Sequence, residues 1–160
     1  MSTLTELIKG EHDDLRPHVE QLRITADAVG GTSVDVLREL TEACLRFVVH
    51  DLIPHADKER DVLYEAIGRV LGSPEATATM VRDHEEVRRY AEELSTVHGG
   101  LMAGHRMTEE SSRDLRRVLY GLYAIVKLHF EKEDEVYAAL LSARLGESEE
   151  ERLLARMSEK

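Results

Sequence analysis

Two copies of one short pattern, His-x-x-x-Glu, stand near opposite ends of this chain: His55-Ala56-Asp57-Lys58-Glu59 and His129-Phe130-Glu131-Lys132-Glu133. In a helix, residues four apart stack on one face, so each copy offers an imidazole nitrogen and a carboxylate to a single point beside the helix. That is a chelating arrangement. The likeness continues past the pairs, with Arg60-Asp61-Val62-Leu63-Tyr64 after the first and Asp134-Glu135-Val136-Tyr137 after the second.

The rest of the chain is read around these helices. Leu4, Leu7, Ile8, His12, Leu15, Val19 and Leu22 recur at steps of three and four behind a Ser2 or Thr3 cap, predicting a helix over 3–29 that Gly30 and Gly31 stop. Pro17 removes one backbone donor, but the stripe continues to Ala26, which predicts a kink and not an end. From a Ser33 cap, Val34, Leu37, Leu40, Cys44, Phe47, Val48 and Leu52 carry a second helix over 34–71, bent at Pro54 just before His55. Ser73-Pro74-Glu75 starts a third over about 74–97, ended by Gly99-Gly100, with 98–107 as an irregular connection. Thr108 or Ser111 starts a fourth that ends near Gly146, its inner face formed by Leu115, Val118, Leu119, Leu122, Ile125, His129, Glu133, Val136 and Leu140. Residues 148–158 form a short, highly charged terminal helix. With no strand-type alternation, the expected fold is all-α, an up-and-down four-helix bundle with a short C-terminal helix, in one domain over 1–160.

Thirty-two acidic against 21 basic residues give a net charge of -11, which repels phosphate backbones and anionic head groups, so nucleic acid and membrane surfaces are poor partners. No apolar run reaches the roughly 20 residues of a membrane span, and 1–10 lacks the pattern of a secretion signal, so a cytoplasmic protein, monomer or dimer, is expected. The single cysteine, Cys44, falls in an apolar run and reads as a small core residue.

Each long helix places one histidine on its apolar face: His12, His55, His84 and His129. One such histidine alone is usually a hydrogen-bonded core residue. The joint pattern is different, because Glu59 and Glu133 also fall on the core side, where a carboxylate is costly unless paired or bound to a cation. Glu59 and His84 lie 13 and 12 residues either side of Gly72 and should be level; His12 and His55 lie 19 and 24 from Gly31, a difference of about 7 Å at 1.5 Å per residue. One compact site collects all six. Imidazole with carboxylate suits iron, manganese or zinc, and six candidates exceed the four of a closed zinc site, which points to a dinuclear centre.

His12, His55-x-x-x-Glu59, His84 and His129-x-x-x-Glu133 resemble the ligand series of the hemerythrin-like, or HHE cation-binding, family over residues 5–140, and Leu52-Ile53-Pro54-His55-Ala56 with Asp61-Val62-Leu63-Tyr64 is similar to its bacterial members. The resemblance implies two iron ions with an oxo or hydroxo bridge, four terminal histidines, and Glu59 and Glu133 bridging. One departure stands out: oxygen carriers of the family have two histidines four apart on the third helix, whereas Arg88 follows His84 at that spacing here. On about twelve iron positions this set and its bridge fill about ten, leaving about two for solvent, a small ligand or another side chain.

His18 and His50 read as exposed or as outer hydrogen-bond partners and Tyr64, Tyr123 and Tyr137 as packed aromatics, with ligation of iron by His18, His50 or a tyrosine phenolate as the alternative; His98 and His105 read as exposed. Met80, Met102 and Met107 read as fillers, and Glu147 to Arg152 as a solvated helix start. The expected function is binding of, or reaction with, dioxygen, nitric oxide or hydrogen peroxide at open iron positions, in oxidative or nitrosative stress. The alternatives are a reversible dioxygen carrier or sensor, iron storage, and a metal-free interaction bundle. Turnover of peroxide or nitric oxide is left open. Ferritin-type chemistry fits less well, since those sites use mainly carboxylates with Glu-x-x-His elements.

Overall fold

The computed structural model describes residues 3–158, and among them every regular element is helical. Helix α1, Leu4–Ala28, opens with a reciprocal cap in which the Thr3 hydroxyl accepts from the Glu6 N–H and Glu6 accepts from the Thr3 N–H, and it continues through Pro17. Helix α2 spans 34–71, from a Ser33 cap to Gly72, whose φ of 66° closes the helix in the left-handed region that favours glycine. Helix α3 starts as a 3-10 turn, Pro74–Thr77, and becomes α-helical over Ala78–Met102. Helix α4 spans 109–144 behind a Thr108 cap, and α5 is Glu147–Ser158. Helix α1 lies against α2 and α4, and α3 against the same two, so the four long helices close a ring.

Three stretches depart from regular α geometry: π turns at Val48–Leu52 and Glu59–Tyr64 in α2, and at Glu133–Tyr137 in α4. The first follows from Pro54. Its missing N–H and its ring both disturb the carbonyl four residues back, and the chain widens so that the Ile53 N–H reaches Val48 O. The third is closed by the Ala138 N–H reaching Glu133 O, and the second and third begin at the two glutamates of the repeat.

These turns shift the inner faces. Past Glu133 the buried positions are Ala138 and Leu141, while Val136 is 55% exposed and Leu140 only partly buried, because the wider turn advances the face by one residue. The third helix also differs from its predicted end: it passes through Gly99 and Gly100 to Met102, and the irregular connection shrinks to 103–108. Two glycines cost about 2 kcal/mol of propensity, but Leu101 beyond them is 2% exposed and draws the helix onward.

The core has two apolar layers with a polar one between. One layer includes Leu22, Phe47, Leu52, Leu94, Leu119 and Phe130; the other includes Leu4, Ile8, Leu63, Ile67, Met80 and Leu141. Helix α5 completes the second layer with Leu153 and Met157, both essentially buried. Its acidic start is therefore not simply solvated: Glu150 accepts from the Leu4 N–H at 2.9 Å, and Glu149 pairs with Arg69. No helix among the described residues is long and apolar enough to cross a membrane.

Candidate metal centre

The polar layer contains all six side chains singled out from the sequence, one histidine from each long helix and one glutamate each from α2 and α4. His12, Glu59 and Glu133 have no exposed surface. The Nε2 atoms converge on the carboxylates. His55 lies 2.8 Å and His12 3.3 Å from Glu59 Oε1; His84 lies 3.4 Å from Glu59 Oε2; His129 and His12 each lie 3.3 Å from Glu133. His84 and His129 meet at 2.8 Å, Nε2 to Nε2. The donors form two groups that can each hold a metal ion, one of His12, His55 and Glu59, the other of Glu59, His84, His129 and Glu133.

Behind three of the histidines stands a carboxylate on Nδ1, with a cation behind it. His12 meets Asp134 at 2.8 Å, which takes Arg16 at 2.6 Å. His129 meets Asp83 at 3.0 Å, which takes Lys132. His55 lies 3.4 Å from Glu11, which has Lys58 at 3.7 Å. Asp134 and Asp83 fix the ring planes of His12 and His129 and hold Nδ1, so the inward Nε2 is the position where a second proton or a cation competes. No such partner backs His84 among the described residues; its ring stacks on Tyr64 instead, with centroids 5.4 Å apart.

Burial alone would lower the histidine pKa values, but the carboxylates outweigh it. His12 is raised to about 9 by Glu133 and Glu59, His55 to about 10 by Glu59 and Glu11, and His129 well above its ordinary value by Asp83 and Glu133. Burial opposes ionisation of Glu59, yet His55, His12 and His129 hold it well below the usual carboxylate range. The cluster is thus anionic at its centre and draws positive charge inward. Protons satisfy it incompletely, since Glu59 Oε2, Glu133 Oε2 and His55 Nε2 are buried without a hydrogen-bond partner. Close, convergent and poorly hydrogen-bonded donors are what a multivalent cation needs.

Sequence reasoning preferred packing for Tyr64, with a phenolate ligand as the alternative; the structure puts its hydroxyl in the centre. It donates to Glu133 Oε1 at 2.6 Å and lies 3.2 Å from Nε2 of both His84 and His129. Burial first, then the charges of Glu133 and Glu59, push its pKa up, so without a metal it is a neutral phenol. The signal was the parallel tail of the repeat, Tyr64 and Tyr137 after the two glutamates, but α periodicity does not carry residue 64 inward; the π turn does. Tyr137 donates to Ala76 O, away from the centre, and Tyr123 lines an outer groove. Arg88 points outward and bonds Asp57 on α2. His18 is exposed and stacks on Phe47; His50 and His105 are exposed; His98, expected to be exposed, is partly buried with Nε2 unpartnered.

A ring of four helices around a buried, charge-dense cluster of histidines and carboxylates defines a cation-binding bundle. The family model of the hemerythrin HHE cation-binding domain matches residues 3–141, and the chain belongs to that family. Neither a curated protein nor a solved structure matches it.

Proposed function

We propose that His12, His55, Glu59, His84, His129 and Glu133 hold two iron ions, and that the protein binds or reacts with a small oxidant there. The observation that carries this reading is the double membership of Glu59: it belongs to both donor groups, with Oε1 toward His12 and His55 and Oε2 toward His84. A carboxylate shared in this way would bridge two cations. Glu133 supports the same role, with Oε2 toward His12 and Oε1 toward His129. Iron suits a mixed imidazole and carboxylate set, and when bound it supplies one-electron redox chemistry and open positions for a diatomic molecule or peroxide.

Tyr64 Oη lies 3.2 Å from Nε2 of both His84 and His129, on the Met80 side of His84. With iron bound, Tyr64 Oη would serve as a seventh protein ligand, as the phenolate. The open iron positions that remain admit solvent or a second small ligand, which favours consumption of peroxide or nitric oxide over reversible carriage. The apolar layers above and below exclude bulk water from the centre.

Metal analysis with an ultraviolet and visible spectrum, before and after anaerobic reduction and re-exposure to air, tests the reading. About two irons per chain with charge-transfer bands that reduction bleaches support it. Return of a distinct oxygenated spectrum on aeration favours carriage, and return of the oxidised spectrum alone favours turnover. No iron and no bands after reconstitution with ferrous ion under anaerobic conditions leave only a helical bundle.

A further inference from the structure

The two halves of the repeat differ in the residue after the histidine, Ala56 in one and Phe130 in the other. Both side chains line one small cavity, about 10 Å³, beside the donors His55, Glu59, His84 and His129. That is room for a single molecule about the size of water. The opposite wall is apolar, formed by Leu52, Val87 and Val126. Ala56 leaves the room, since a larger side chain there would project into it.

Phe130 also lines a second space, an open groove of about 390 Å³ between α1 and α4, and it is the one residue common to both linings. Its ring is 1% exposed and stacks flat on His12, with centroids 4.1 Å apart and planes 10° from parallel. On the groove side the Arg16 guanidinium lies over the same ring at 5.9 Å. Phe130 is thus where the groove and the cavity come together. The groove carries two cations, Arg16 and Lys127, and two anions, Asp13 and Glu20, so it offers no net attraction to ions. The cavity wall facing the metal position is apolar, and an ion passing it unpaired would be strongly disfavoured.

We infer that the α1–α4 groove is the access route to the centre and that Phe130 and Ala56 select what arrives: uncharged molecules of one or two heavy atoms. Phe130 acts as the gate, and Ala56 sets the size of the space behind it. The inference rests on the diiron reading above.

The test is stopped-flow mixing of nitric oxide with the reduced, iron-loaded full chain, following the absorbance change. Phe130→Leu should raise the association and dissociation rates together, by roughly tenfold, with little change in equilibrium binding, as expected when a barrier and not a contact is removed. Tyr123→Trp, which narrows the groove without touching a donor, should slow association severalfold. Ala56→Leu should reduce the amount bound at unchanged iron content. Val81→Phe, which narrows a separate groove beside Tyr64, should leave both rates as in the parent. Unchanged association in Phe130→Leu and Tyr123→Trp overturns the inference, and so does slowing by Val81→Phe alone, which would place access on the Tyr64 side. If Phe130→Leu does not fold, Tyr123→Trp and Ala56→Leu decide: no effect of either overturns it. Absence of two irons from the parent is seen before any mixing and counts against the diiron reading itself.

Discussion

At the scale of single residues, Glu59 carries the most. It lies within 3.8 Å of four histidines, one from each long helix, and its Oε2 has no hydrogen-bond partner. Glu59→Ala is expected to remove most bound iron, measured by metal analysis of the folded variant, whereas His98→Ala should leave the content unchanged; equal iron in Glu59→Ala and the parent would sink the bridging assignment. Asp134 works one step out. Asp134→Asn keeps the shape but weakens the hold on the His12 ring, and iron affinity measured by chelator competition should fall about 10- to 100-fold. Tyr64→Phe keeps the ring against His84 and removes only the hydroxyl. Its iron should remain while a visible charge-transfer band present in the parent disappears; an unchanged spectrum would mean that the phenol is not a ligand.

Among the helices, the π turns decide which residues face the centre. Each of the two glutamates of the repeat starts one, and the extra residue per turn lets consecutive positions such as Leu63 and Tyr64 both be buried. Packing between α3 and α4 is equally close at Gly121, where an added Cβ would sit 2.5 Å from Tyr90 Cζ and 2.7 Å from its Oη. Gly121→Ala gains helix propensity yet must displace the Tyr90 ring, and a net loss of about 1–3 kcal/mol is expected from overpacking. The denaturant midpoint of the variant checks the sign: a rise would show that the ring swings aside at little cost.

For the molecule as a whole, charge in the polar layer couples stability to pH. In the metal-free protein His12 and His55 have folded pKa values of about 9 and 10, above the 6.5 of an unfolded histidine. Their contribution is present below about pH 6.5 and is lost as pH rises through 9 and 10. Glu59, held low, contributes above its unfolded value of 4.5 and loses this as pH falls through its folded pKa. The metal-free protein should therefore melt at lower temperature at pH 9 than at pH 6. The iron-loaded protein should show the opposite slope toward acid, where protons displace the metal. Parallel melting curves for the two forms would contradict a shared site for protons and iron. Helix α5 lies beyond the segment that matches the family, yet it closes the lower core layer. Removing 147–160 uncovers Leu4, Ile8 and Leu63 and loses the burial of Leu153 and Met157, a cost of roughly 3–6 kcal/mol at about 1.5–3 per side chain, to be read from thermal unfolding.

Much of this was written in the sequence, because its strongest signals are local. The steps of three and four predicted four long helices, and a histidine on each apolar face with Glu59 and Glu133 one turn beyond two of them singled out the six side chains that the structure brings together. What lay outside its reach depends on contacts between elements. Leu101 carries α3 past two glycines because it has a core to enter. Glu11, Asp83 and Asp134 look like ordinary surface acids in the sequence and become partners of His55, His129 and His12 only when neighbouring helices bring them within 3.4 Å. Tyr64 reaches the centre because the π turn departs from the 3.6-residue period that any reading of spacing assumes. Periodicity tells which face of a helix turns inward, while the partner that each buried polar atom meets there is set by how the helices pack.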